Sequence, residues 1–401
     1  MHKNLLVSFA FLAAAAHAQE VKPLSISGVQ FQAIGLSDYL AQIQTSSGTI
    51  KSKRLAVESA MANEPMQSSP NVNPSFSFSR GAYYGKTPYT PFVSPSSNTY
   101  SLSGTLEGWG KRQSRQNLAH AEIGRTRSEA DAIQRAVEGD AIFAYFDTLR
   151  LKLNWLTLQK AIDRLAKSTD SNAAASIVEH EKIQGDIAND LKYFAYGMTV
   201  FLSKETQQLP EPIGNLSYAS KEFDPKELVA NAVAQRKDIQ AMEAALKTAQ
   251  ASVEVAKKNR NIDFSLSAWY SVTPAYTASG TSYDQTTAHG FSISMPIPTA
   301  NLYDGPVVEA LNNQSMADLS LRDQKLRVVA EVNQAYLQYV SARKKLNDAE
   351  KAFKQSNPDA ATSVESIVAA REAEVDLNDA KTNHAKALVF LRRVSGNYDL
   401  P

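Results

Sequence analysis

Two short stretches, NPSFSFS from Asn73 to Ser79 and NIDFSLS from Asn261 to Ser267, alternate between serine and an apolar residue. Successive side chains on a strand point to opposite faces, so this period-two pattern predicts strands with one apolar and one polar face. Four segments carry it: Pro74 to Tyr84, Asn98 to Gly108, Ile262 to Val272 and His289 to Ile297. Each approaches the roughly 9–11 residues that a tilted strand needs to cross a bilayer. Phe76, Phe78, Tyr100, Leu102, Phe264, Leu266, Phe291 and Ile293 fall on one side, expected to face lipid. Ser77, Ser101, Ser103, Ser265, Ser267, Ser292 and Ser294 fall on the other. Tyr83, Tyr84, Tyr89, Trp109, Trp269, Tyr270, Tyr276 and Tyr283 are expected at or just beyond strand ends, where aromatic girdles sit. From the strands alone, the edge of a soluble β-sandwich stays open as an alternative.

An internal repeat favours the membrane reading. VEGDAIFAYFDTLR at Val137 to Arg150 recurs as VVAEVNQAYLQYVS at Val328 to Ser341, which sets Ala144-Tyr145 over Ala335-Tyr336 at an offset of 191. The strand pairs recur at nearly the same spacing, 188 for Phe76 and Phe264 and 191 for Tyr100 and Phe291. The chain therefore reads as two copies of one unit: helix, strand, strand, long helix, tip and returning helix. The first repeat spans 19–220, with its helical hairpin at about 111–202, and the second spans 221–401, with its hairpin at about 307–394.

Helical patterns cover Leu36 to Met66, Lys111 to Lys167, Ala173 to Leu202, Pro225 to Arg260, Val307 to Gln355 and Ala360 to Val394. The predicted class is thus mainly α with transmembrane β. Leu151, Leu158 and Leu165 are seven apart, as are Tyr339, Leu346 and Phe353, and Ala335, Ala342 and Ala349. A second stripe, Leu149, Leu153 and Leu156, gives that helix apolar residues on two sides, which suits a wall of helices with a neighbour on each flank. Ser176 to Glu179 and Thr362 to Glu365 each fit a capping box, predicting where the returning helices start.

The first residues join a basic start at His2 and Lys3 to an apolar run from Leu5 to Ala16 and small residues at Ala16 and Ala18, so residues 1–18 are expected to be a cleaved secretory signal. With 42 basic and 41 acidic residues there is no global field to attract nucleic acid, and none is expected as a partner. Cysteine is absent, which excludes disulfides and an acylated cysteine anchor. After the signal no run of about 18 apolar residues occurs, so a transmembrane helix is not expected.

Four strands per chain leave a sheet with two open edges, and unpaired backbone in hydrocarbon costs several kcal/mol per group. Two or three chains would close eight or twelve strands. Eight leave an interior filled by side chains, whereas twelve can leave a water-filled lumen matching the serine face, so a homotrimer is preferred.

These features resemble the TolC-type outer-membrane efflux proteins over nearly the whole mature chain, from about Leu36 to Gly396. The carrying residues are NPSFSFS, LEGWGKR at Leu106 to Arg112, the Ala-Tyr pairs, Arg236 to Tyr270, and FSISMPIPTANLYDG at Phe291 to Gly305. The resemblance implies a trimer whose twelve-stranded barrel in outer-membrane lipid continues as a periplasmic α-helical tunnel. It implies a passive exit duct for a tripartite efflux pump or type I secretion system, docked to a periplasmic adaptor and an inner-membrane transporter, with no cofactor. Adaptor docking would fall at the hairpin tips, at Ser168, Asp170, Ser176, Asn357, Asp359 and Ser363. These tips keep the capping Ser or Thr but lack the family's usual glycine. Asp359, Glu365 and Glu372 would become acidic rings at the tunnel gate, or are solvated or capping carboxylates.

The six histidines are scattered, and His180-Glu181 lacks the second histidine of a helical zinc site. No phosphate loop or nucleophile elbow occurs. The remaining rivals are a soluble periplasmic coiled-coil spacer or adaptor, and a barrel-forming paralogue no longer coupled to a pump.

Overall fold

A computed structural model describes residues 25–26, 29–81, 84–86, 91–93, 96–203, 208–278, 281–297, 304–357 and 361–398. The expected signal segment, Tyr83, Tyr89 and Asp359 lie outside these residues. The order is β1 (Ser25–Ile26), β2 (Val29–Ile34), α1 (Leu36–Ser46), α2 (Gly48–Ser68), β3 (Ser75–Gly81), β4 (Tyr84–Lys86), β5 (Pro91–Val93), β6 (Ser97–Leu106), α3 (Lys111–Leu165) and α4 (Ala173–Leu202). There follow β7 (Leu209–Pro212), α5 (Pro225–Gln235), α6 (Lys237–Lys258), β8 (Phe264–Thr273), β9 (Tyr276–Ala278), β10 (Thr281–Tyr283), β11 (Thr286–Ser294), α7 (Asp304–Gln355) and α8 (Val364–Val394).

The protein is mainly helical, and strands form in all four alternating segments. They make one antiparallel sheet in the order β11-β8-β6-β3. Each strand adjoins one helix in the chain: α2 precedes β3, β6 precedes α3, α6 precedes β8, and β11 precedes α7. The helices pack in the matching order, with α3 between α2 and α6, and α6 against α7. Further along α3 and α7 the flanking helices change, and α4, α3, α8 and α7 lie side by side. At 55 residues, α3 runs for about 80 Å at ~1.5 Å per residue, far beyond what a globular core needs. The wall is thus four helices wide at both levels, which explains the apolar stripes on two sides of α3. Leu149 faces the cluster of Tyr39, Ile43 and Phe146, whereas Leu151 packs with Leu191 and Ala195 of α4.

Two predicted helices are broken. Ser47, at φ −54° and ψ 123°, separates α1 from α2, and Arg236 separates α5 from α6 in an extended conformation. The Arg236 guanidinium is held by Asp238 and Glu331, each at 2.7 Å. At the middle of the wall a small sheet, β1-β2-β7, joins β2 and β7 in parallel. The Tyr145 hydroxyl donates its one proton towards the Ile213 carbonyl at 2.6 Å, with the Ile34 carbonyl at 2.9 Å, and accepts from the Ile213 amide, tying that sheet to α3. Burial pushes its pKa up to about 12, so the phenol stays neutral. Tyr336, the sequence counterpart of Tyr145, does not make these bonds. The equivalent bonds come from Tyr339, one turn later, to the carbonyl and amide of Lys221. Tyr145→Phe should destabilise the chain by about 1 kcal/mol, because the Ile213 carbonyl loses its hydroxyl donor while the Ile213 amide keeps its bond to the Ile34 carbonyl. Thermal or denaturant unfolding of purified protein measures this, and an unchanged midpoint would contradict the clamp.

Candidate channel wall and gate

Cross-strand register sorts the faces of the sheet. Phe76, Leu102, Ala268 and Phe291 form one row across all four strands, and Phe78, Tyr100, Tyr270 and His289 form the next. Leu266 with Ile293, and Leu106 with Phe264, continue the same face towards the helices. The seven residues assigned to lipid, Phe76, Phe78, Leu102, Phe264, Leu266, Phe291 and Ile293, therefore share one face, and all are exposed in the single chain. From Phe264 to Tyr270 this face spans about 20 Å along the strand, at ~3.3 Å per residue. Beyond the Tyr100 row it turns polar, with Arg80, Asn98 and Thr287 around Val272.

The opposite face is hydroxyl-bearing. Ser75 bonds Ser103, Ser77 bonds Ser101, Ser267 bonds Ser292 and Thr99 bonds Ser271, each through side-chain oxygens. Trp269 belongs to this face, opposite Ser101 and Gly290, and not to a girdle at a strand end. Trp109 is at the expected end, 91% exposed, and Tyr276 stacks on Tyr283 beyond β8 with ring centroids 4.7 Å apart.

Charged pairs fix the angle at which strands become helices. Glu107 accepts two bonds from Arg115, at 2.6 and 2.9 Å, and a third from the Asn71 amide. Asp263 accepts from Lys111 at 2.8 Å and from the Gly108 amide at 2.7 Å, and Arg260 pairs with Asp304. Gly108 lies against the backbone of Asn261 and Ile262 where a Cβ would clash, and Gly110 has φ +80°, the left-handed region that favours glycine. The Arg115 hydrogen bonds hold the Glu107 carboxyl below its ordinary pKa. Burial disfavours ionised Asp263, but its bonds to Lys111 and Gly108, with the nearby positive charges, outweigh this and lower its pKa too.

A depressed folded-state pKa contributes stability that is complete above the unfolded value, near ~4, and is lost as pH falls through the folded one. The junction should therefore stay closed at neutral pH and loosen only below about pH 4. The pH dependence of Trp109 fluorescence or of proteolysis near Gly110 measures this. Glu107→Gln should flatten part of the acid limb, and loosening centred near pH 6 would contradict the assignment.

The two hairpin tips meet. Ala161, Leu165 and Ala173 from the first pack with Val364 and Ile367 from the second. In the first tip, Ser168 accepts from the Asp170 amide and Asp170 from the Asn172 amide, so α4 starts at Ala173. Ser176 consequently lies inside α4 and caps nothing, and its carbonyl is 2.7 Å from His180 Nδ1. The Ser176 capping box is thus incorrect, because the Asp170 turn begins the helix earlier. In the second tip the cap is Ser363, one residue after Thr362, and it accepts from the Ser366 amide. Glu365 is therefore not the reciprocal partner. Asn357 takes the left-handed conformation, φ +42°, in a turn that lacks glycine.

Glu365 and Glu372 are exposed on α8, with Glu372 beside Arg371 at 3.4 Å. Their heptad row continues as Asp379, Lys386 and Arg393, which face α3 and pair with Arg150, Asp147 and Asp140. Asn154 also donates to Asp379, and Lys160 pairs with Glu374. Sequence reasoning missed this ladder of charges along the seam between the hairpins. Among the described residues no group of side chains is arranged to hold a metal ion, and no helix is long and apolar enough to cross a membrane.

A two-faced sheet, strands followed in the chain by long helices, and a wall open at both edges together form a fold that known outer membrane channels also have. Solved channels share it. The Campylobacter jejuni CmeC outer membrane channel aligns with TM-score 0.66 at 17% identity, covering 90% of this chain and 86% of that one. VceC from Vibrio cholerae aligns with TM-score 0.65 at 15% identity, covering 91% and 97%. The open-state MtrE channel of Neisseria gonorrhoeae gives 0.63 at 16% identity, covering 90% and 89%. No curated protein sequence matches the chain. Residues 228–398 match the family model described as outer membrane efflux protein, so this part of the chain is similar to that family, whose place is the outer membrane.

Proposed function

We propose that three copies of this chain close into a twelve-stranded barrel in outer-membrane lipid, continued by a twelve-helix periplasmic tunnel, which serves as a passive exit duct. The single observation that carries this is the coincidence of open edges. β3 and α2 bound one side of the wall, and β11 and α7 bound the other. Both helices expose large apolar residues, Leu55, Met61 and Met66 on α2 and Leu311, Leu319 and Leu326 on α7. Exposed apolar side chains on both outer helices, together with unpaired strand edges, suit a further copy of the same wall.

In this reading residues 1–18 are removed on export, and 19–220 and 221–401 are the two repeats of the wall. The phenylalanine and leucine face meets lipid, and the hydroxyl face lines water. The tips, with Ser168, Asp170, Ser176, Asn357, Asp359 and Ser363, dock a periplasmic adaptor that links the duct to an inner-membrane transporter of a tripartite efflux pump or a type I secretion system. Glu365 and Glu372 form the acidic part of the gate, and the ladder from Asp140–Arg393 to Lys160–Glu374 holds α8 against α3 when the gate is closed. Deleting the gene and assaying both drug susceptibility and protein secretion tests the coupling. Loss of either supports it. Loss of neither, with a channel still present in the outer membrane, leaves a barrel uncoupled from a pump.

A further inference from the structure

We propose that Trp269 forms an aromatic binding collar inside the exit barrel, at which planar aromatic cargo stacks during passage; this rests on the duct reading above. On the hydroxyl face the other described positions of the four strands are Ser, Thr, Gly or Ala, among them Ser77, Thr99, Ser103 and Ser292. Trp269 is the sole large side chain and the sole aromatic among them, placed mid-strand in the row Ser77, Ser101, Trp269 and Gly290. Its ring lies over Gly290, where an added Cβ would come within 3.0 Å of three indole atoms. A side chain at 290 would push the indole off the wall, so glycine there is what lets it lie along the strand. Trp269 as a whole is 38% exposed.

The chemistry follows from that setting. A wall of uncharged hydroxyls offers weak hydrogen bonding to everything and no charge selectivity. An exposed indole adds an apolar π face, which attracts flat aromatic rings by offset stacking and aromatic cations more strongly still. Threefold symmetry would place three such faces at one height. Packing over Gly290 is also what a purely structural tryptophan would do, since aromatic side chains cover glycines across strands. The two roles differ in whether a passing solute touches the ring.

The test uses reconstituted protein carrying Trp109→Phe and Trp155→Phe, which leaves Trp269 as the sole tryptophan, excited selectively over tyrosine. Its emission is measured with aqueous acrylamide and with brominated lipid, and single-channel current is recorded with 9-aminoacridine and with cyclohexylamine. The collar predicts quenching by acrylamide and by 9-aminoacridine but not by brominated lipid. It also predicts current block by 9-aminoacridine that weakens about tenfold in Trp269→Ala and survives in Trp269→Phe, the range that stacking energies allow. Block unchanged in Trp269→Ala, or equal for cyclohexylamine, would overturn the collar and leave the duct intact. Quenching by brominated lipid would overturn the assignment of faces on which the duct reading stands. The quenching arm uses native Trp269, so it decides even if Trp269→Ala fails to assemble.

Discussion

Leu102→Arg is expected to abolish recovery of the assembled protein from the outer membrane, whereas Ser101→Arg, one residue away, should leave assembly largely intact. Leu102 lies in the middle row of the apolar face, between Phe76 and Ala268. A positive charge facing lipid at the bilayer midplane costs about 2–4 kcal/mol, and in a trimer every copy bears it. Ser101 bonds Ser77 on the hydroxyl face, where an arginine would meet water. Phe76→Asp should behave like Leu102→Arg in a milder form, and Ser77→Leu like a silent change. Heat-modifiable migration of the outer-membrane fraction on gels measures assembly. Equal tolerance of Leu102→Arg and Ser101→Arg would show that the two faces have been assigned to the wrong solvents.

The second large effect is expected far from the membrane. Lys152 of α3 and Glu211 of β7 form an ion pair at 2.6 Å, with side chains only 9% and 2% exposed. The Lys152 ammonium also donates to the Pro212 carbonyl at 3.0 Å, pinning the parallel strand β7 to the long helix. Removing one partner strands a charge in a buried site, so Glu211→Ala should destabilise by about 3–5 kcal/mol. Replacing both, as Lys152→Met with Glu211→Leu, should cost far less, because no unpaired charge remains. Denaturant unfolding of the two variants checks the contrast. Comparable destabilisation by the single and the double change would mean that packing, and not charge, holds this position.

Much of the wall was legible from local pattern. The strands could be read because each holds a short run in which Phe, Leu, Tyr or Ile alternates with Ser, so even a seven-residue strand such as β3 shows both faces. The helices could be read from heptads such as Leu151, Leu158 and Leu165, all of which are buried. Trp269 was misplaced although its signal was present: it shares odd numbering with Ser265 and Ser267, and parity alone assigns it to their face. The first tip was misread because the turn chemistry of Ser168, Asp170 and Asn172 begins α4 before the Ser176 pattern can act. Other features carry no local signature. Asp147 and Lys386 lie 239 positions apart, and only the packing of α3 on α8 reveals that their spacing matches. Glu211 sits between two prolines in a four-residue strand, where nothing in the sequence marks it as buried. Tyr339 replaces Tyr336 as the second clamp because the segment it holds, at Lys221, meets α7 one turn further along.

Closure of the wall by copies of itself is the central claim, and the native mass of the detergent-solubilised protein, measured together with the membrane fraction it came from, tests it most directly. The account predicts a particle of three chains from the outer-membrane fraction. A monomer recovered from the soluble periplasmic fraction would contradict it.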